Sequence, residues 1–229
     1  MSRIIGSYLG EGAHGVFGKM LIHRLPALQY VSFAAQIPLL ELRDVRKLGL
    51  IRRVLPFTMV GYPRLANAYE IALKVERAGI QGAFVECGVW KGGAIGIMAR
   101  VAHEAQSDRA IWLFDSFEGL PEPTEKDGDA AKNYAGGRSS GDLSPIGLCE
   151  AAIDDVEKLL FDILEIDKSN VNIVQGWFQD TMPAANPEMG SIAALRVDAD
   201  WYASTKCVLE NLYDLVVPGG YVILDDYGQ

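Results

Sequence analysis

The chain has 229 residues, of which 49% are hydrophobic and 22% are charged, and its formal net charge is −9. Such a composition is typical of a globular protein and excludes disordered and fibrous classes. The length suits one α/β domain with a sizeable core and an N-terminal extension. The negative charge argues against a nucleic-acid partner, because nucleic-acid binding depends on clustered lysine and arginine side chains that neutralise phosphates.

Cysteine use and hydropathy bear on the compartment. Three cysteines without metal-ligand spacing, Cys87, Cys149 and Cys207, favour reduced thiols in a cytoplasmic protein. The segment 25–40 is uncharged, but it is shorter than the roughly 18 residues of a membrane span and contains prolines and glutamines. We therefore predict a cytoplasmic protein without a membrane span or a secretory signal, and we interpret 25–40 as a packing arm.

Regular alternation of strands and helices begins near residue 61. We therefore interpret residues 1–60 as an N-terminal extension and residues 61–229 as one domain. Apolar spacing predicts helices over 64–78, 94–105, 148–164 and 204–215. Strands are predicted at 83–86, 110–114, 171–174, 192–197 and 221–224, with 218–220 as the turn before the last strand. This alternation predicts a doubly wound, mostly parallel sheet, and the loop-rich segment 121–144 has the length of a lid.

A glycine-rich loop follows the first predicted strand. Gly88, Gly92 and Gly93 allow close approach of the backbone to a ligand and open a helix whose N-terminal amides can face it. The spacing does not fit the dinucleotide fingerprint, which requires glycine where Trp90 stands, and it does not fit the phosphate-binding P-loop. The loop indicates a nucleotide-type pocket, and a tight strand–helix turn without a ligand remains the alternative.

Carboxylates end the first two strands. Asp115 ends the second strand, where an acid can accept hydrogen bonds from both hydroxyls of a ribose. A cap for the following turn is its alternative role. Glu86 ends the first strand, and its carboxylate requires a cationic or amino partner if it is buried.

Two further strands end in pairs of acids: Asp198 with Asp200, and Asp225 with Asp226. If these strands are parallel neighbours, their carboxyl ends converge. Like charges about 4 Å apart repel by roughly 1 kcal/mol in water and by about 4 kcal/mol at an effective dielectric constant near 20. A cation is therefore expected between them. Periodicity does not choose between Asp198 and Asp200, because residues two apart on a strand share a face.

Five segments resemble, in order, the motifs of the macrocin O-methyltransferase (TylF-type) family: 84–93, 114–121, 176–181, 195–205 and 218–227. The resemblance extends from residue 57 to the end of the chain. It implies a class I methyltransferase-like (Rossmann-like) α/β fold. It further implies an O-methyltransferase that depends on S-adenosyl-L-methionine and Mg²⁺ and methylates a hydroxyl of a sugar or glycosylated natural product. The implied mechanism is metal-assisted deprotonation followed by in-line methyl transfer.

The same resemblance implies the site residues. The first loop would bind the methionine part of the cofactor, through Glu86, Gly88, Val89, Trp90, Gly92 and Gly93. The nucleoside part would be bound by Asp115, Ser116, Gly176 and Trp177. Asp198, Asp225 and Asp226 match the metal ligands, and Asp198 also matches the general base. Asp200 matches neither role and is expected to contact substrate or to cap the next helix.

The end of the chain bears on completeness. Family members continue past the position of Asp226 with a helix and two strands, so we expect those strands to be absent and the site to be open, unless the sequence is partial. An exposed sheet edge is usually covered, and either a partner subunit of a homo-oligomer or the N-terminal extension is the expected cover. Two other functions remain open: a divalent-metal hydrolase of a nucleotide or phosphoester, and a truncated binding subunit without catalysis.

Overall fold

The computed structural model describes residues 26–226 and has a five-stranded parallel sheet at its centre. The strands are β1 (Ala83–Cys87), β2 (Ile111–Asp115), β3 (Val171–Gln175), β4 (Ile192–Val197) and β5 (Val216–Leu224). Their order is β3-β2-β1-β4-β5, and every neighbouring pair is parallel. The predicted α/β fold class is confirmed. The first 25 residues of the predicted extension and the last three of the predicted domain lie outside the described residues.

Eight α-helices are described in residues 26–226. They are α1 (Pro26–Ala34), α2 (Val45–Val54), α3 (Tyr62–Ala78), α4 (Gly93–Glu104), α5 (Gly128–Tyr134), α6 (Ile153–Glu157), α7 (Phe178–Met189) and α8 (Tyr202–Leu212). Helices α3, α4 and α8 confirm three of the predicted helices. Gly79 ends α3 with a left-handed backbone (φ 63°), which is the usual helix stop. Within 26–226, none of these helices combines the length and the apolar composition that a membrane crossing requires.

Two predicted elements differ from the structure. The helix predicted over 148–164 begins only at Ile153. In the segment before it, the Leu148 carbonyl accepts a hydrogen bond from the amide of Leu120, next to the lid, at 2.9 Å, and Leu148 joins an apolar cluster with Ala131 of the lid. The turn predicted at 218–220 lies inside β5. There the register shifts by an irregularity opposite β4, and Gly219 (φ 84°) takes a left-handed backbone that accommodates the bulge. Proline is tolerated there because β5 is an edge of the described sheet.

Both faces of the sheet are covered by helices, as the alternation predicted. Side chains of β1 alternate between the two sides: Phe84 joins the core formed with α2, α3 and α4. Val85 and Cys87 join the core formed with α7 and α8. The strand order reverses between β1 and β4, so the chain leaves these two strands in opposite directions. Ligands of such sheets bind in the crevice outside the carboxyl ends of the strands at this point.

Helix α2 belongs to this core although it precedes residue 60. Leu50, Ile51 and Val54 are buried in the same apolar cluster as α3 and α4. By contrast Val45, on the same helix, is 76% exposed. The domain boundary at residue 60 stays a prediction, but part of the segment before it contributes to stability.

We predict that Ile51→Ala lowers the free energy of unfolding by about 2–5 kcal/mol, because Ile51 is completely buried and the truncation leaves a cavity. Val45→Ala on the same helix is the control and should change it by less than about 0.5 kcal/mol. Urea unfolding followed by circular dichroism measures both. Equal, small effects would show that α2 does not belong to the cooperative unit.

Candidate functional site

The loops after four strands are aligned at one edge of the sheet by backbone hydrogen bonds. Four amides just beyond the strand ends donate at 2.9 Å to the neighbouring strand: Gly88 to Phe114, Gly176 to Asp115, Asp198 to Cys87 and Asp225 to Val197. This regular stagger places the glycine loop and both acid pairs along a single line. The segments that the sequence singled out therefore lie together.

An open cleft lies at this edge of the sheet. Six of the predicted cofactor residues line it: Gly88, Trp90, Asp115, Ser116, Gly176 and Trp177. Asp198, Asp200 and Asp226 line the same cleft. The glycine loop and the acids thus face one common space.

Gly88 lies where the glycine loop meets the loop that carries Asp198. Its backbone is left-handed (φ 84°), and a Cβ atom at this position would lie 1.7 Å from the carbonyl oxygen of Asp198. No other residue fits without moving the backbone. This close approach therefore sets the distance between the glycine loop and Asp198.

Asp115 anchors the glycine loop. Its Oδ2 accepts hydrogen bonds from the amides of Val89 (2.7 Å) and Trp90 (2.8 Å), and its Oδ1 accepts one from the amide of Phe117 (2.7 Å). Trp90 is held with a left-handed backbone (φ 50°), which is costly for a bulky residue. Asp115 lines the cleft and at the same time stabilises this strained turn.

The remaining predicted cofactor residues lie beneath the cleft. A Cβ on Gly93 would lie 2.5 Å from the Thr58 Cβ, so this glycine permits close packing of α4. Gly92 has room for a Cβ, which would lie 3.5 Å from Val156, but its backbone is left-handed (φ 87°). Val89 is 5% exposed. These glycines therefore serve helix packing and the turn of the loop.

Arg196 is the centre of a buried ion-pair network. It is 2% exposed, is the last residue but one of β4, and lies directly opposite Glu86 of β1 in the strand register. Its Nη1 donates to Glu86 Oε1 and, at 3.0 Å, to Asp198 Oδ2, while its Nη2 donates to Asp225 Oδ1. One guanidinium thus holds carboxylates from three adjacent strands.

Glu86 points into this network. Its second oxygen, Oε2, accepts a hydrogen bond from the amide of Ile95 at 2.9 Å. Burial raises the pKa of Glu86 to about 7, even though the charge of Arg196 opposes this shift. Both oxygens thus have partners inside the protein, and the geometry favours a role in holding Arg196 and the start of α4.

Three carboxylates form a cluster that could hold a metal ion. Oxygens of Asp198, Asp225 and Asp226 all lie within 4.8 Å of one another. Asp200 is exposed, takes a left-handed backbone (φ 54°) and is not a member of this cluster. Its amide donates to Asp226 Oδ2 at 3.1 Å. Geometry thus separates two residues that periodicity left equivalent.

The residue at the N-cap position of α8 is Trp201 rather than Asp200. The amide of Tyr202, the first residue of α8, donates instead to Asp127 Oδ1 of the lid at 2.6 Å. The indole of Trp201 donates to the carbonyl of Pro121 at 2.9 Å. The predicted lid is therefore fastened to the loop that carries Asp198.

A second arginine reaches the cluster from α3. Arg64 Nη1 lies 2.6 Å from Asp225 Oδ2 and lines the cleft. Together Glu86, Asp198, Asp225 and Asp226 carry four negative charges when ionised, and Arg64 and Arg196 carry two positive ones. The formal charge of −2 that remains equals the charge that one divalent cation would neutralise.

Sequence reasoning missed both arginines. Arg196 carried a detectable signal, because a charge in the apolar run 192–197 of a central strand requires a buried partner. Arg64 carried none, since it is 161 residues from Asp225 in sequence and lies on an amphipathic helix. Met59 and Val60, in the segment before α3, also line the cleft, and no sequence pattern predicted this.

The fold is that of a Rossmann-like methyltransferase, and comparison with known proteins defines the family. The family model for macrocin-O-methyltransferase (TylF) matches residues 24–229, and the chain belongs to this family. The match begins upstream of the first segment that the sequence motifs covered. The α/β architecture and the recognised family thus agree.

Relatives with assigned activities cover most of the chain. Demethyldecarbamoylnovobiocin O-methyltransferase of Streptomyces niveus is 38% identical over 174 residues, which is 74% of this chain and 62% of that enzyme. The 8-demethyl-8-(2,3-dimethoxy-alpha-L-rhamnosyl)-tetracenomycin-C 4'-O-methyltransferase of Streptomyces olivaceus is 37% identical, over 80% of this chain and 67% of that enzyme. The matched region thus spans about two thirds of the length of these relatives.

A solved structure supports the same fold. The O-methyltransferase NovP superposes with a TM-score of 0.60 at 37% sequence identity, covering 75% of this chain and 67% of that protein.

We predict a pH dependence of stability that Glu86 causes. A carboxyl whose pKa is raised from 4.5 to about 7 stabilises the fold fully below 4.5, and this contribution is lost as the pH rises through 7. Between pH 4.5 and 7 in metal-free buffer, the unfolding free energy of the wild type should therefore fall by on the order of 2 kcal/mol more than that of Glu86→Gln.

Chemical denaturation at a series of pH values measures this difference. Glu157→Gln, which alters an exposed carboxyl on α6, is the matched control and should follow the wild type. Parallel curves for Glu86→Gln and the wild type would contradict the assignment.

Proposed function

We propose that the protein is an S-adenosyl-L-methionine- and Mg²⁺-dependent O-methyltransferase that methylates a hydroxyl of a sugar or glycosylated natural product. The observation that carries the proposal is the common cleft: the nucleoside-type loops and the three-carboxylate cluster open onto one space. Membership of the macrocin-O-methyltransferase family supports it. A hydrolase of phosphoesters would require an anion site, whereas the charged residues that line this cleft are four aspartates and one arginine.

The residues along the first half of the cleft fit the methyl donor. When bound, S-adenosyl-L-methionine supplies an electrophilic methyl group. Gly88 and Trp90 would lie along its methionine part, Asp115 would accept hydrogen bonds from its ribose, and Gly176 and Trp177 would contact its adenine. Oδ1 of Asp115 accepts one amide hydrogen bond and retains a lone pair for the ribose, whereas Oδ2 already accepts two amide hydrogen bonds.

The acidic half fits a hard divalent cation. Three carboxylates and a formal charge of −2 suit Mg²⁺, which prefers oxygen ligands and retains open positions for substrate or water. When bound, the ion lowers the pKa of a coordinated hydroxyl. Asp198, Asp225 and Asp226 would hold it.

Asp198 is best placed to act as the general base. It lines the cleft, its amide is fixed to β1, and its Oδ2 is held by Arg196. A carboxylate held in this way can accept the proton of the acceptor hydroxyl without reorganising. The stagger of β1 and β4, set at Gly88, then keeps the acceptor oxygen and the methyl donor at a fixed separation, which is the main source of catalysis in such a transfer.

The acceptor class rests on the relatives. The tetracenomycin relative methylates, by its name, the 4' hydroxyl of a rhamnosyl group. Neighbouring sugar hydroxyls can occupy two open positions of a cation, so the carboxylate cluster is compatible with such an acceptor. Homo-oligomerisation, one of the two covers expected for the edge strand, stays a prediction.

We predict that Asp198→Asn lowers the rate of methyl transfer by about 10²–10⁴-fold, because it removes the proton acceptor. Affinity for S-adenosylhomocysteine should stay near that of the wild type, since the nucleoside loops are untouched. The measurement combines a mass-spectrometric screen of glycosides for the gain of one methyl group with calorimetric titration of S-adenosylhomocysteine.

Asp108→Asn is the matched control. It makes the same chemical change at an exposed aspartate outside the cleft, just before β2. It should retain methyl transfer. Undiminished transfer by Asp198→Asn would refute the base, and failure of the wild type to bind S-adenosylhomocysteine at millimolar concentration would refute the methyltransferase.

A further inference from the structure

The two arginines of the acid cluster differ in how firmly they are held. Arg196 is 2% exposed and has carboxylate partners on three strands. The side chain of Arg64 is 31% exposed, and within the described part of the chain Asp225 is its ion-pair partner. Arg64 can therefore exchange its partner for water at low cost, whereas Arg196 cannot leave without stranding buried charges.

Asp225 stands between these two groups. Its Oδ1 accepts from Arg196, and its Oδ2 lies 2.6 Å from Arg64 Nη1. The side chain is 2% exposed, and its amide is tied to β4. Arg196 and the backbone would thus keep Asp225 in place if Arg64 moved away.

We propose that Arg64 is the exchangeable counter-charge of this cluster: it pairs with Asp225 in the metal-free protein and gives way when a divalent cation binds. The inference rests on the proposed function, since it takes Asp225 as a metal ligand. Its physical basis is competition. A guanidinium and a divalent ion repel each other, and both are attracted to the oxygen of Asp225 that faces the cleft.

The exchange would also affect the residues that line the cleft. Arg64 lies in the first turn of α3, directly after the segment that places Met59 and Val60 in the cleft. Release of Arg64 from Asp225 would therefore loosen the one described ion pair that joins this segment to the acid cluster. Cation binding and the shape of the cleft are linked through this contact.

Calorimetric titration of the whole protein with Mn²⁺, without methyl donor, tests the proposal. Arg64→Gln should bind Mn²⁺ about tenfold more tightly than the wild type, because the competing charge is gone while Arg196 still positions Asp225. Arg64→Lys retains the charge and should bind with an affinity close to that of the wild type.

Arg77→Gln is the matched control. Arg77 is an exposed arginine on the same helix, thirteen residues further along and so about 20 Å away along the axis, and its loss should leave Mn²⁺ affinity unchanged. Thermal unfolding gives a second readout: Mn²⁺ should raise the melting temperature of Arg64→Gln by more than it raises that of the wild type.

Three results would overturn the exchange. Equal or weaker Mn²⁺ binding by Arg64→Gln, with clear binding by the wild type, would refute it and leave the metal site intact. Equally tightened binding by Arg64→Lys would refute competition by charge. Absence of Mn²⁺ binding in every variant would overturn both the exchange and the metal part of the proposed function, while titration with S-adenosylhomocysteine would still report on the methyl-donor half.

Discussion

The ion pairs of Arg196 are the interaction on which the candidate site depends. A fully buried guanidinium is tolerated only when carboxylates surround it, and here they come from the ends of β1, β4 and β5. These three strands must therefore be neighbours in register, with Glu86 directly opposite Arg196. Removing one partner of such a buried pair typically costs about 3–5 kcal/mol. The same constraint fixes the fold at this edge and the positions of the acids.

The network also explains why the acids remain an attractive site for a cation. One arginine shared among three carboxylates positions them without neutralising them, and Asp226 adds a further charge at the cleft. On the other side, Asp115 ties the strained loop at Trp90 to β2. Gly88 brings the two halves into contact at the carbonyl of Asp198. The cleft is thus a donor half and an acceptor half held at a fixed distance.

Much of this arrangement could be predicted from the sequence, because strands, glycines and terminal acids have local signatures. The strands of the parallel sheet and the meeting of acids beyond β4 and β5 follow from patterns a few residues long. The choice of Asp198 over Asp200 came from the family resemblance. Partners that depend on register or on distant segments could not be predicted: the pairing of Glu86 with Arg196 needs the alignment of β1 and β4. The late start of α6 reflects tertiary contacts with the lid that override helical periodicity.

Diffraction at the manganese absorption edge, from crystals grown with Mn²⁺ and S-adenosylhomocysteine, tests the central claim most directly. We predict one anomalous peak in contact with oxygens of Asp198, Asp225 and Asp226 at about 2.1 Å, in the cleft that also contains the nucleoside. Arg196 should keep its three carboxylate partners in that structure. Nucleoside density in the cleft without an anomalous peak at these carboxylates would contradict the account.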